Sequence, residues 1–197
     1  MPNANVIARM VGGNTPSQGP ISVPSITLVT TTEQLFKIQS PSGTAILAPF
    51  PPGQLVGATT APSFGSGFDG FPFKVRAAFK ATTGGTSTVV FAIYANQVST
   101  TITSTNQVAT ITSQSLATAS ASGWLEATLI WDSIGLVLSG GQQGAFGTTV
   151  VTGNAALANT AISIPALANL NFSCTAKNAS SVTGTIVTLT EFVIETV

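Results

Sequence analysis

Glu126 and Glu191 are the two carboxylates in this chain with the best claim to chemistry. Each lies in a strand-forming run, GWLEATLIWD (123–132) and TIVTLTEFVIETV (185–197). Two carboxylates facing each other across a sheet are the arrangement from which glycosidases take their acid and their base or nucleophile. Beyond Trp124 and Trp131, however, nothing marks a sugar cleft, and the simpler reading makes both glutamates solvated strand residues. The rest of the inventory is short. Six acidic side chains (Asp69, Asp132, Glu33, Glu126, Glu191, Glu195) and six basic ones (Arg9, Lys37, Lys74, Arg76, Lys80, Lys177) are the only charges in 197 residues, and there is no histidine.

Without imidazole, neither a Ser-His-Asp nor a Cys-His arrangement can exist, and general acid–base work near neutral pH loses its commonest agent. Gly65-Ser66-Gly67 lies in a loop that lacks the strand-to-helix setting of a nucleophile elbow. Cys174 is the only cysteine, so no intrachain disulfide or cysteine-based metal site is possible, and a buried small hydrophobe is its expected role. Calcium would have to combine Asp69 or Asp132 with backbone carbonyls, because no Asp-rich loop is present. No glycine cluster is followed by the Gly-Lys-Ser/Thr of a phosphate loop. The expectation is a protein that is not an enzyme and uses no cofactor and no metal.

Formal charge is zero, and the scattered lysines and arginines form no run able to track phosphates, so nucleic acid is not an expected partner. No stretch reaches the ~18 apolar residues of a membrane-spanning helix, which sets the membrane aside as well. The start, MPNANVIARMVGGNTPSQGP, has neither the charged nor the continuous apolar region of a secretion signal. A neutral surface rich in Thr, Ser, Asn and Gln puts little repulsion between copies, and suits close packing against other subunits.

The elements that must position these residues are strands. Thr, Ser, Val and Ile dominate, and helical spacing of Glu, Lys, Leu and Ala is missing. From Phe71 to Ala81, Phe73, Val75, Ala77 and Phe79 alternate with Lys74, Arg76, Ala78 and Lys80, which predicts a half-buried strand. A turn at 82–85 and the apolar run Ser87–Ala95 then suggest a central hairpin. A second hairpin is expected from Gly123–Asp132, with Leu125, Ala127, Leu129 and Trp131 inward, returning through Ile134–Leu138. Trp131 reads as a core anchor, and Trp124 falls on the opposite face or at an interface. Further strands are predicted at 25–30, 34–39, 107–113, 148–152, 160–164, 170–176 and 185–195. Nine or ten short strands separated by Gly, Pro, Ser and Asn give an all-β fold class, an antiparallel β-sandwich that is jelly-roll-like.

Two stretches fall outside this pattern. Residues 1–24 carry Pro2, Pro16, Pro20 and Pro24 with Gly12 and Gly13, which resists a central strand and predicts an extended N-terminal arm ahead of a sandwich at 25–197. Residues 40–72 interleave six prolines with Phe50, Phe64, Phe68 and Phe71. Rings in so irregular a segment must be covered, either by the domain or by a neighbour. Phe50, Phe64 and Phe68, together with Trp124, are therefore the candidate interface residues. No catalytic, cofactor-binding or metal-binding residue is assigned.

The order of GFPFKVRAAFKATTGGTSTVVFAIY (70–94), GWLEATLIWDS (123–133) and LTEFVIETV (189–197) resembles tailed-bacteriophage virion proteins, the small β-sandwich structural proteins that decorate or cement a capsid or sit in tail appendages. The resemblance covers about Phe71 to the end of the sequence and carries over no functional residue. It implies a protein made in the host cytoplasm and built into the virion, assembled as a homotrimer in many such cases, with the major capsid protein or another virion protein as partner. The expected function is capsid decoration by multivalent contact, stabilising the assembled lattice because it binds neighbours there better than free subunits. The alternative is a tail-fibre or appendage module that recognises a receptor glycan, stacking an exposed Trp124 or Tyr94 on a sugar.

Overall fold

A computed structural model gives the fold and describes residues 6–11, 25–36, 38–39, 45–46, 48–49, 72–82, 87–95, 107–116, 120–132, 137–153, 162–163, 171–179 and 184–196. In chain order the strands are β1 (Val6–Val11), β2 (Ser25–Leu28), β3 (Gln34–Leu35), β4 (Ile38–Gln39), β5 (Ala45–Ile46), β6 (Ala48–Pro49), β7 (Pro72–Thr82), β8 (Val89–Ala95), β9 (Gln107–Thr112), β10 (Ser120–Asp132), β11 (Val137–Phe146), β12 (Thr149–Gly153), β13 (Ile162–Ser163), β14 (Asn171–Asn178) and β15 (Thr185–Thr196). Every pairing among them is antiparallel.

Eight of these strands form the body of the fold. Numbered one to eight along the chain, β2, β3, β7, β8, β9, β10, β14 and β15 divide into one sheet of order 1-8-3-6 and a second of order 2-7-4-5. Of the seven steps between consecutive members of this set, six cross between sheets and one, β8 to β9, stays within the smaller sheet, which is the double Greek key of a jelly roll. The first sheet is widened to eight strands by β1 beside β15 on one side and by β11, β12 and β13 beyond β10 on the other. The all-β jelly-roll expectation is thus met. Within the expected arm, Val6–Val11 is an edge strand on β15; a proline-flanked segment is suited to an edge, where missing N–H donors cost least.

The expected hairpin between β7 and β8 does not form. β7 lies in the larger sheet between β15 and β10, and β8 lies in the smaller one between β14 and β9. The reason is visible in the sequence of β8, VVFAIYA, which has no polar face to give to solvent and so takes a central place with both faces covered. The two strands meet face to face instead. Phe79 of β7 stacks on Phe91 of β8 with ring centroids 3.8 Å apart and 12° between planes, and Phe146 meets Phe79 edge-on at 4.8 Å. Such ring pairs contribute about 0.5–1.5 kcal/mol beyond the area they bury.

The core between the sheets is built from the inward alternation of each strand: Val75, Ala77, Phe79 and Ala81 from β7, Leu125, Ala127 and Leu129 from β10, Leu189 and Phe192 from β15, and Val89, Phe91, Ile93, Phe172, Cys174 and Ala176 from the smaller sheet. A one-residue shift in the pairing of β15 with β7, between Leu189 and Glu191, keeps both Leu189 and Phe192 in that core. Cys174 is a buried small side chain, as expected, and burial pushes its thiol well above the usual range. The side chains of Phe73 and Trp131 lie outside the described residues.

The second hairpin does form, with Asp132 opposite Val137 and Gly123 opposite Phe146. Its return strand is not Ile134–Leu138 but Val137–Phe146, twice as long and passing through the Gly-rich run SGGQQGAF. Glycine has a packing reason here. A Cβ on Gly144 would sit 2.6 Å from the Trp124 carbonyl oxygen. The strand then turns in two residues, Gly147–Thr148, into β12. Gly147 takes φ +61°, as a tight hairpin turn demands. The single strand expected at 34–39 is instead two short strands in different sheets, β3 against β14 and β4 against β5.

Candidate functional site

Alternation along β7, β10 and β15 puts chemically capable side chains on the outer face of the larger sheet, and strand pairing arranges them in rows. One row runs Glu195–Lys74–Thr128, the next Val193–Arg76–Glu126–Gln143, and the third Glu191–Ala78–Trp124–Ala145–Val150. Lys80 stands beyond them, beside Ser122 and Thr188. Six of the described charged side chains therefore share one face.

They are arranged as ion pairs. The Glu126 carboxylate is almost buried, with the residue 5% exposed, and it accepts from Gln143 Nε2 at 2.8 Å and faces Lys74 Nζ at 3.2 Å. Arg76 Nη2 donates to both oxygens of Glu191 at 3.3 and 3.4 Å. The glutamates that might have formed a glycosidase pair are each held by a cation on β7, and Glu126 is not the solvated strand residue expected of it.

The same face carries four of the five large exposed hydrophobic residues among the described ones: Trp124, Ile130, Val150 and Ile186, the fifth being Val29. Trp124 is 39% exposed and Val150 68%. The neighbours that pairing gives the indole are Ala78 and Ala145. Two methyl side chains leave a large ring standing above its surroundings.

Behind the smaller sheet the arrangement is the reverse. Ala92, Tyr94, Ser173 and Thr175, which alternation directs away from the core, are all buried. Glu33, in the segment between β2 and β3, reaches over them. Its carboxylate accepts from the Tyr94 hydroxyl at 2.9 Å and from the Thr175 hydroxyl, and pairs with Lys177 Nζ at 3.6 Å. Gln107 Nε2 donates to the Tyr94 oxygen at 3.3 Å. Tyr94, 2% exposed, cannot stack on a sugar, which corrects the expectation for that residue and leaves Trp124 as the exposed ring. The ring lies on the side of the sheet away from the core and is covered there, with Glu33 supplying the partner its hydroxyl needs.

Of the four candidate interface residues, Trp124 is the one whose place is given, on the opposite face of β10 from the core. Phe50, Phe64 and Phe68 lie outside the described residues. Sequence reading missed Gln143, because β11 comes from a run of glycines and small polar residues, and it missed the role of Val150, whose strand was expected at 148–152 but whose place beside β11 depends on that run. It also missed the pairing of Lys74 with Glu126. The signal was there: KVRAAFK and WLEATLI each expose alternate residues, and two such strands laid side by side put lysine and arginine opposite glutamate. Among the described residues no three His, Cys, Asp or Glu side chains gather as metal ligands, and no helix is long and apolar enough to cross a membrane.

Fold and face define a jelly-roll sandwich with one open, ion-paired sheet surface. Three solved structures overlap it along almost their whole length at low similarity. The CBM2 module of the evolved Dit protein of Lactobacillus casei BL23 phage J-1 is 8% identical with a TM-score of 0.36, over 98% of this chain and 95% of that one. Winged bean acidic lectin, complexed with methyl-α-D-galactose, is 11% identical at 0.37, over 100% and 93%. Peanut lectin with a nine-residue peptide is 10% identical at 0.39, over 99% and 98%. Scores this low decide neither ancestry nor function, and the layer order above rests on the strands themselves. No protein-family model and no curated protein matches the chain.

Proposed function

We propose that this is a non-catalytic contact protein of a phage virion, of the capsid-decoration type, whose sandwich presents the outer face of its larger sheet to a binding partner. The observation that carries the reading is the make-up of that face. It combines four exposed hydrophobic residues with six charges, and its two buried or half-buried glutamates are engaged by Lys74 and Arg76 instead of facing each other. Carboxylates so held are fixed acceptors, engaged by cations and an amide, which suits recognition.

The virion setting is supported by the sequence resemblance across residues 71–197. Attachment to the capsid falls in this reading to Phe50, Phe64 and Phe68, in the proline-interleaved segment. The test is co-sedimentation with expanded, undecorated phage heads. The wild-type protein is expected to sediment with the heads, and a variant carrying serine at all three phenylalanines is expected to stay in the supernatant while keeping its thermal transition. A wild-type protein that ignores the heads overturns the decoration reading.

A further inference from the structure

We propose that the open sheet face binds a neutral carbohydrate, with Trp124 as the stacking platform and Gln143, held by Glu126 and flanked by the half-buried Arg76, as the hydroxyl-reading group. This deepens the contact function above and rests on it: the capsid is held elsewhere, and this face is turned outward.

The geometry begins with the row Ala78–Trp124–Ala145–Val150, which crosses four adjacent strands and so makes an apolar strip about 14 Å long. The exposed indole is its highest point. Displaced along the strands by two residues, about 7 Å, the polar row lies parallel to it. A ligand seated on the strip therefore meets an apolar surface beneath and donors and acceptors along one side. Pyranose rings present C–H groups on a face and hydroxyls around the rim, which matches that division. Glu126 and Arg76 are oriented by their ion pairs, and Gln143, exposed, is oriented by its bond to Glu126. Side chains already held in place lose little freedom when a hydroxyl docks. An amide that gives one N–H to Glu126 keeps a second N–H and a carbonyl oxygen for a ligand.

Charge selects among ligands. Among the described side chains of the face, Lys74, Arg76 and Lys80 balance Glu126, Glu191 and Glu195, which leaves them no net charge with which to draw a phosphate or a sialylated glycan. Protein is the other occupant to weigh. A stable protein interface centres on an apolar core depleted of charge, whereas here the hydrophobic residues are divided. Trp124 and Val150 share the strip, but Ile130 and Ile186 stand at opposite ends of the strands with the charged rows between. That dispersal favours a small, hydroxyl-rich ligand over a second protein surface.

The experiment uses the full chain on an array of neutral and sialylated oligosaccharides, followed by titration calorimetry with the best neutral binder. A neutral glycan is expected to bind in a salt-insensitive way. Trp124→Ala is expected to weaken it by at least about tenfold, with Trp124→Phe retaining most of the affinity. Gln143→Ala should weaken it severalfold without moving the thermal transition. Binding that survives Trp124→Ala, or a preference for sialylated glycans lost on adding salt, overturns the proposal. The same variants are carried into head co-sedimentation. If Trp124→Ala releases the protein from heads and no glycan binds, the face is a protein-docking surface, and the carbohydrate falls while the contact function stands. If the wild type binds neither heads nor glycans, the underlying reading falls with it.

Discussion

The outer faces of the two sheets differ in how they treat charge. On the larger sheet, three cations and three carboxylates, Glu126 almost buried among them, lie beside an exposed tryptophan. On the smaller, one carboxylate, Glu33, is drawn over a buried tyrosine, a buried threonine and a lysine. The first arrangement leaves a surface that can exchange its water for a ligand. The second closes a face by tying a connecting segment onto it. The same kind of ion pair therefore has two roles, and burial of what lies beneath it tells them apart.

The sharpest test of that distinction removes one carboxylate from each face. Glu33→Ala leaves the buried Thr175 hydroxyl and the Tyr94 hydroxyl without their acceptor, and should cost about 2–3 kcal/mol in urea unfolding. Glu191→Ala removes a partly exposed pair and should cost less than about 1 kcal/mol. Equal losses would erase the difference between the faces.

A second test uses pH. Burial, and then the neighbouring Glu33 carboxylate, hold the Tyr94 phenol protonated well above its ordinary range. A phenol whose folded pKa is raised binds its proton more tightly in the native state than in the unfolded chain. Its contribution is complete below the unfolded value and is lost as pH rises beyond it, so stability should decline above about pH 10. Tyr94→Phe should flatten that decline. The chain has one tyrosine, so tyrosinate absorbance reports this residue alone, and an ordinary titration curve in the folded protein would break the account of a closed face.

The smallest effect belongs to the open face. Val150→Ser and Ile130→Ser replace exposed side chains and should shift stability by no more than about 0.5 kcal/mol. Val150→Ser, in the apolar strip, should weaken glycan binding, whereas Ile130→Ser, outside it, should not. A large loss of stability in either would mean that something covers that part of the face.

Much of this was legible in the sequence, because alternation is a local property. KVRAAFK and WLEATLI show by themselves which side chains share a face, and they placed Trp124 opposite the core. Partners are not local. Strand β8 follows β7 within a few residues, and proximity suggested a hairpin; the absence of any polar face in VVFAIYA was the better guide, since such a strand must be covered on both sides. Strand β11 was read too short because glycine weakens a strand in isolation, whereas here its missing Cβ is what lets the Trp124 backbone approach. Glu33 carries no pattern of its own. Its role depends on Tyr94 and Thr175, which lie 61 and 142 residues away.

Strand β15 carries one more consequence. It is last in chain order among the strands, yet it lies between β7 on one side and β2 and β1 on the other. A chain growing from its N-terminal end has no bridge between these strands until residues 185–196 are made. Through most of its synthesis the larger sheet is two incomplete halves with open edges, which are prone to pairing with the wrong partner. Residues 185–196 act as a closing stave, and the larger sheet should form abruptly once they have emerged from the ribosome, not by gradual growth.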